Sequence, residues 1–309
     1  MKTPAFLLLA AGLAVAAGGA AAQEGGSQDE IVVTAQRSGA PIWTIETARG
    51  TILLVGEIVE VPKSTPWRPE RLEAATARAQ RVILGTKAKV SPGDILRLIF
   101  AGGKLTRLPK GTVASDYLDD EQRRRLAALE QLYDQDYSRQ SFLMTGFDLL
   151  ARRLGFNRDS GKDATEVVRR AAGRADVPAE PVGTLRGEDI LDDLFSAPPE
   201  SHLPCLDAAM TATEQGPDLI ARRGADWRAF DIPAVMANPL EVALARCWPW
   251  ADEELGAELR GQWTDAIYRA TDAAGVTLAV VPLRVLAEPD GVLDQLGRRG
   301  LDIAGPAWR

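Results

Sequence analysis

The run Thr51 to Val55 carries no period-two alternation and ends on Gly56. A strand with apolar residues facing both ways must be covered on both faces, which is the situation of a parallel sheet packed between helices. Glu57, Val59 and Glu60 lie just past its end, and Pro62 closes the segment. In an α/β fold the carboxyl end of such a strand, followed by a glycine turn, is where ligands and chemistry gather.

The neighbouring sequence extends this sheet. Residues 41–47 read as a strand, and the turn at Ala48, Arg49 and Gly50 leads into the Thr51 strand as a hairpin. Pro69 opens a helix with Leu72, Ala75 and Ala79 at three- and four-residue spacing, and residues 81–84 return as a strand. Strand, helix and strand within this distance make a βαβ unit. Residues 275–286 form a late strand; a helix through Val292, Leu293 and Leu296 and a short strand at 301–305 follow.

Between these ends, from 91 to 271, the pattern is helical. Leu126, Leu129, Leu132 and Tyr133 share one stripe; Phe142, Leu143, Phe147, Leu150 and Leu154 share the next. The expected fold is α/β (α+β): a central mixed sheet from N- and C-terminal βαβ segments (40–90 and 272–309) enclosing a large helical insertion (91–271). Residues 40–309 are expected to form one domain.

Ahead of it, residues 1–22 have a basic start, an apolar stretch and small residues before Gln23, the layout of a cleaved signal peptide cut near Ala22/Gln23. An uncleaved anchor is the competing reading, but the apolar run is short and no basic flank follows. The expected location is periplasmic or secreted, with no integral membrane segment after cleavage. Residues 23–39 are expected to be a flexible leader. Within it, Glu30–Arg37 reads either as an N-terminal edge strand or as a TonB-contacting strand.

With 309 residues, 46% hydrophobic and 26% charged, the chain is ordinary globular protein, and its net charge of −7 argues against a nucleic-acid partner. The only histidine is His202, lying between prolines in the helical region and read as a surface or capping residue. Cys205 and Cys247, 42 positions apart, are either a disulfide of an oxidising compartment or two buried thiols. No Gly-x-Ser-x-Gly elbow, dinucleotide fingerprint or Walker loop is present.

The two ends together, "PIWTI…TILLVGEIVEVP…LEAATARAQRVIL" and "TLAVVPLRVLAEPDGVLDQLGRRGLDI", resemble the TraB/PrgY/GumN family, whose superfamily includes the Tiki membrane metalloproteases. "GFDLLARRLG" at 146–155 resembles its Gly-x-Asp segment, "ARRGADWRAFD" a stretch before its C-terminal helices, and "ELRGQW" its arginine-asparagine helix. The resemblance implies two Gly-x-x-His motifs and an acidic strand end that hold a divalent metal for hydrolysis. In this chain Gly56 keeps the first glycine, but Val59 stands at the first histidine and Gly85 at the acidic position. Pro282 replaces the second glycine, Val285 the second histidine, and Glu258-Leu259-Arg260 the Glu-Arg-Asn run. Valine and glycine offer a metal no lone pair.

These replacements leave no established catalytic residue, no metal and no cofactor, and they weigh against enzymatic activity. Glu57, Glu60 and Arg284 remain as a candidate pocket; the two glutamates could bind a hard cation through oxygen or could be solvated loop charges. The expected function is a catalytically degenerate protein that binds a peptide or protein partner. The alternatives are a metal-dependent hydrolase with a relocated carboxylate site and an accessory of TonB-linked outer-membrane uptake.

Overall fold

A computed structural model describes residues 21–89, 91, 102–103, 105–247 and 252–309. The signal expected over 1–22 lies almost wholly outside them. Five strands form one mixed sheet in the order β1-β2-β7-β3-β5: β1 (Ile42–Glu46), β2 (Gly50–Glu57), β3 (Arg81–Leu84), β5 (Ala179–Pro181) and β7 (Gly275–Pro282). β1 pairs antiparallel with β2, and the other pairings are parallel. Every residue of β2 is buried, as a strand flanked on both edges and covered on both faces must be.

The N-terminal βαβ unit is split. β2 leads through α2 (Pro69–Thr76) into β3, yet the two strands are not neighbours, because β7 from the far end of the chain lies between them. Gly50 and Gly275 open the β2–β7 register, which runs to Glu57 opposite Pro282. A Cβ on Gly50 would stand 2.0 Å from the Gly275 carbonyl oxygen, so the start of this pairing admits only glycine at position 50.

Two helix groups contact the sheet. α1 (Ala21–Gln36), α2 and α5 (Ala164–Arg174) pack on one another; α11 (Glu253–Ala270), α12 (Leu283–Ala287) and α13 (Val292–Arg298) form the second group. The helical region holds a separate apolar cluster, built by α3 (Asp120–Tyr133), α4 (Phe142–Phe147), a π-helical turn (Asp148–Leu154), α7 (Leu203–Gln215) and α10 (Pro239–Arg246). α8 (Asp218–Ala229) serves both cores: Leu219 packs in the helical cluster and Trp227 in the sheet cluster. Cys205 and Cys247 are joined in a disulfide with Cα atoms 4.5 Å apart, tying the start of α7 to the end of α10.

The structure departs from the sequence reading in several places. Glu30–Arg37 is neither a strand nor part of a loose leader. Residues to Gln36 are helical, Ile31 and Ala35 are buried in the sheet core, and Glu30 pairs with Arg78 at 2.7 Å. The β-branched run Ile31-Val32-Val33 suggested a strand, but packing against α2 decides the helix. The expected last strand at 301–305 is reduced to one bridge, Thr44 to Ala304. The helical region also contributes β5 to the sheet and β6 (Thr184–Arg186), which pairs with β4 (Lys87–Lys89) of the N-terminal segment in a two-stranded ladder; strands of three residues are too short to show periodicity. Leu132, expected on the buried stripe of α3, is 69% exposed.

Two outcomes test this architecture. Ile31→Ala should lower unfolding free energy by about 2–4 kcal/mol in urea titration, whereas a loose leader would leave it unchanged. Reducing the disulfide frees a loop whose ends are 42 residues apart, and chain entropy then predicts a loss of about 4 kcal/mol, read as a fall in Tm on adding dithiothreitol.

Candidate functional site

The register places Gly56 opposite Val281 and Glu57 opposite Pro282, so the turns after β2 and β7 leave the sheet at the same end. Gly56 is confined by its neighbours: a Cβ there would lie 2.8 Å from the Trp43 ring and 2.9 Å from Leu283. Its carbonyl accepts a hydrogen bond of 2.9 Å from the Trp227 indole N–H, and Trp67 meets Trp227 edge to face with ring centroids 5.7 Å apart.

Glu57 does not reach into an open crevice. It is buried at the amino end of α5, where Oε1 accepts from the Thr165 backbone N–H at 2.6 Å and Oε2 from the Thr165 hydroxyl at 2.8 Å. Asp163 caps the same helix by accepting from the Glu166 N–H at 2.7 Å. Burial is the leading cause that pushes the Glu57 carboxyl up to about 7, and the neighbouring Asp163 carboxylate adds to it against the pull of the Thr165 donors.

Past Glu57 the chain turns through Glu60, which takes a left-handed φ of 54°, unusual for a residue with a side chain. The turn rests on α8. Arg223 is buried and donates from a terminal nitrogen to the Val59 carbonyl at 2.8 Å and from Nε to Glu241 at 2.6 Å. Glu241, on α10, also accepts from Arg284 at 3.2 Å. Burial opposes ionisation of Glu241, but the two guanidinium groups outweigh it and hold its carboxyl below the ordinary range. Gly224 lets the turn approach closely, since a Cβ there would strike the Thr65 hydroxyl at 2.2 Å.

Val59, Gly85 and Val285 therefore do not share one opening. Val59 is 46% exposed, Gly85 is exposed with no atom within 4 Å of a Cβ built on it, and Val285 is buried in the sheet core. Glu57, Glu60 and Arg284 do not form the expected pocket either: Glu57 turns to α5 and Arg284 to α10. Glu57 is likewise not a solvated loop charge. Among the described residues no group of three or more His, Cys, Asp or Glu comes together in a way that could hold a metal ion.

The residues that organise this end, Asp163, Thr165, Arg223, Trp227 and Glu241, were not singled out by sequence reasoning. One signal existed for α8: Leu219, Arg223 and Trp227 recur at intervals of four, which puts an arginine on a buried face. Glu241 and Thr165 had no such signal, because their partners come from distant segments.

A family model confirms the relationship that the strand ends suggested. It matches residues 41–304, nearly the whole described fold. The chain belongs to the TraB/PrgY/gumN family. No curated protein and no solved structure matches it.

The segments that resemble the TraB/PrgY/gumN pattern acquire physical roles. In the Gly-x-Asp segment, Gly146 lies against the disulfide, where a Cβ would meet Cys205 Sγ at 2.8 Å. Asp148 accepts from the Tyr137 hydroxyl at 2.6 Å and from Arg153 at 3.0 Å. In "ELRGQW", Arg260 pairs with Glu288 at 2.6 Å and Trp263 is buried. His202 ends a 3₁₀ turn (Pro199–His202) just before α7 and is half-buried, and that burial lowers its pKa.

The Glu57 carboxyl makes stability depend on pH with a definite sign. In the unfolded chain the group ionises near its ordinary value of 4.5, while the folded protein holds the proton to about 7. Between those pH values the folded state binds more protons, so stability falls as pH rises through the window and the loss is complete above it. Glu57→Gln keeps an acceptor for Thr165 without a charge. Relative to wild type it should gain roughly 1–3 kcal/mol between pH 5 and pH 8 in urea unfolding.

Proposed function

We propose that this TraB/PrgY/gumN protein is catalytically degenerate and acts by binding a peptide or protein partner in the periplasm, its mature chain starting near Gln23. The observation that carries this reading is the chemistry of the strand ends. Val59, Gly85 and Val285 supply no donor atom where the family resemblance implies metal ligands. The acids that do stand there are engaged within the fold: Glu57 by Thr165, Glu241 by Arg223 and Arg284. A metal-activated water requires ligands that converge on an open position, and these side chains do not fit that requirement.

On this reading the strand ends carry out no hydrolysis. The ion-paired floor formed by Arg223, Glu241 and Arg284 supports the turn at 57–62 as a rigid surface feature with Val59 at its exposed tip. An apolar residue on a braced turn suits contact with another chain.

A second reading keeps one specific observation. Glu57 and Asp163 bring two carboxyl groups together beside the Thr165 hydroxyl, and a hard cation could draw on such oxygens. Calorimetric titration with Mn²⁺, Co²⁺ and Zn²⁺ separates the two. The degenerate reading expects no tight binding to wild type and no cleavage of a peptide library by mass spectrometry with any of these ions. Tight binding that disappears in Glu57→Ala/Asp163→Ala would overturn it and favour a carboxylate-based hydrolase.

A further inference from the structure

A cavity of about 720 Å³ lies in the helical region, away from the strand ends. Its wall is apolar, with Leu108, Phe142 and Leu194 drawn from the helical cluster. Arg107, Lys110 and Arg139 stand at its rim, all exposed. They belong to adjoining strips of chain: Arg107 bridges to Gln140, and the Leu108 N–H donates to the Arg139 carbonyl at 3.0 Å. No acid lines the cavity among the described residues, although the chain as a whole carries −7. Nor does any of the three cations have an ion-pair partner among the described residues.

We propose that this cavity binds a medium-chain acyl carboxylate, with the aliphatic chain against the apolar wall and the carboxylate at the rim formed by Arg107, Lys110 and Arg139. The volume falls in the range of about 300–1,000 Å³ typical of small-ligand pockets. Grouped cations without acids beside an apolar wall complement a ligand with one anionic end and one long apolar part.

The polar groups of the wall also select the class. The Ser141 hydroxyl donates to the Leu105 carbonyl and accepts from the Met144 N–H at 3.3 Å. The Ser141 N–H donates to the Thr106 carbonyl at 3.1 Å. Ser141 is thus engaged within the protein, and the half-buried His202 is the other uncharged polar side chain of the lining, so a bound peptide would leave most of its amides without partners, whereas an alkyl chain needs none. The site is independent of the strand-end reading and stands or falls separately from it.

The test uses the full chain in calorimetric titration with decanoate below its micelle concentration, compared with 1-decanol and with a soluble apolar peptide bearing a free C-terminal carboxylate. Decanoate should bind saturably at one site, more weakly in higher salt, and about tenfold more tightly than decanol. Arg107→Gln/Lys110→Gln/Arg139→Gln changes only exposed side chains and should lower decanoate affinity about tenfold at unchanged Tm. Ala197→Phe, which fills the cavity from its lining and keeps every charge, should lower it as well. No decanoate binding, equal binding of decanol, unchanged affinity in both variants, or tighter binding of the peptide would each overturn the proposal.

Discussion

The parallel pairing of β2 with β7 is the constraint on which the rest depends. It joins Gly50–Glu57 to Gly275–Pro282 over their whole length, bringing together segments that begin 225 positions apart. Parallel strands cannot be linked by a tight turn, so the intervening chain must leave the sheet and return. In leaving, it forms the helical region with its own apolar cluster; in returning, it inserts β7 between β2 and β3. The close approach of Gly50 and Gly275 starts that register, and the turns after Glu57 and Pro282 end it together.

The common end of β2 and β7 is where an α/β fold ordinarily concentrates its chemistry. Here its polar groups are turned inward. A buried arginine without a partner would be strongly destabilising, and Arg223 is compensated by Glu241 and by the Val59 carbonyl. Arg284 from α12, the helix that directly follows β7, completes the set, so one carboxylate on α10 connects the turn after β2 with the helix after β7. Glu57 is compensated differently: it keeps two donors from Thr165 but no cation, and burial holds its proton to about 7. The same strand end thus contains one acid held ionised by guanidinium groups and another disposed to neutrality by its surroundings.

The apolar cavity opens in the helical region rather than at the sheet edge. The disulfide contributes to its setting, because it pins the start of α7, next to His202, to the end of α10. Gly146 allows α4 to lie against that disulfide, which brings Phe142 on the same helix into the cavity wall. Sheet and helical region are thus organised around different chemistry, one around buried ion pairs, the other around apolar space with cations at its rim.

The sequence alone determined those parts whose cause is local or periodic. The non-alternating run of β2, the proline start and spacing of α2, the late strand as far as Pro282 (residues 283–286, expected to continue it, are helical) and the stripes of the central helices were legible, and so was the family. So was the absence of ligand atoms at positions 59, 85 and 285, since that depends only on residue type. Tertiary structure alone decided the strand order, the helical state of Glu30–Arg37, the union of Cys205 with Cys247 and the partners of Glu57, Arg223 and Glu241. The reason is physical. Periodicity records which way a side chain points along its own element, whereas burial and pairing are set by segments that meet only when the chain closes. An arginine at position 223 reads as a charge on a helix until β2 supplies the Val59 carbonyl and α10 supplies Glu241.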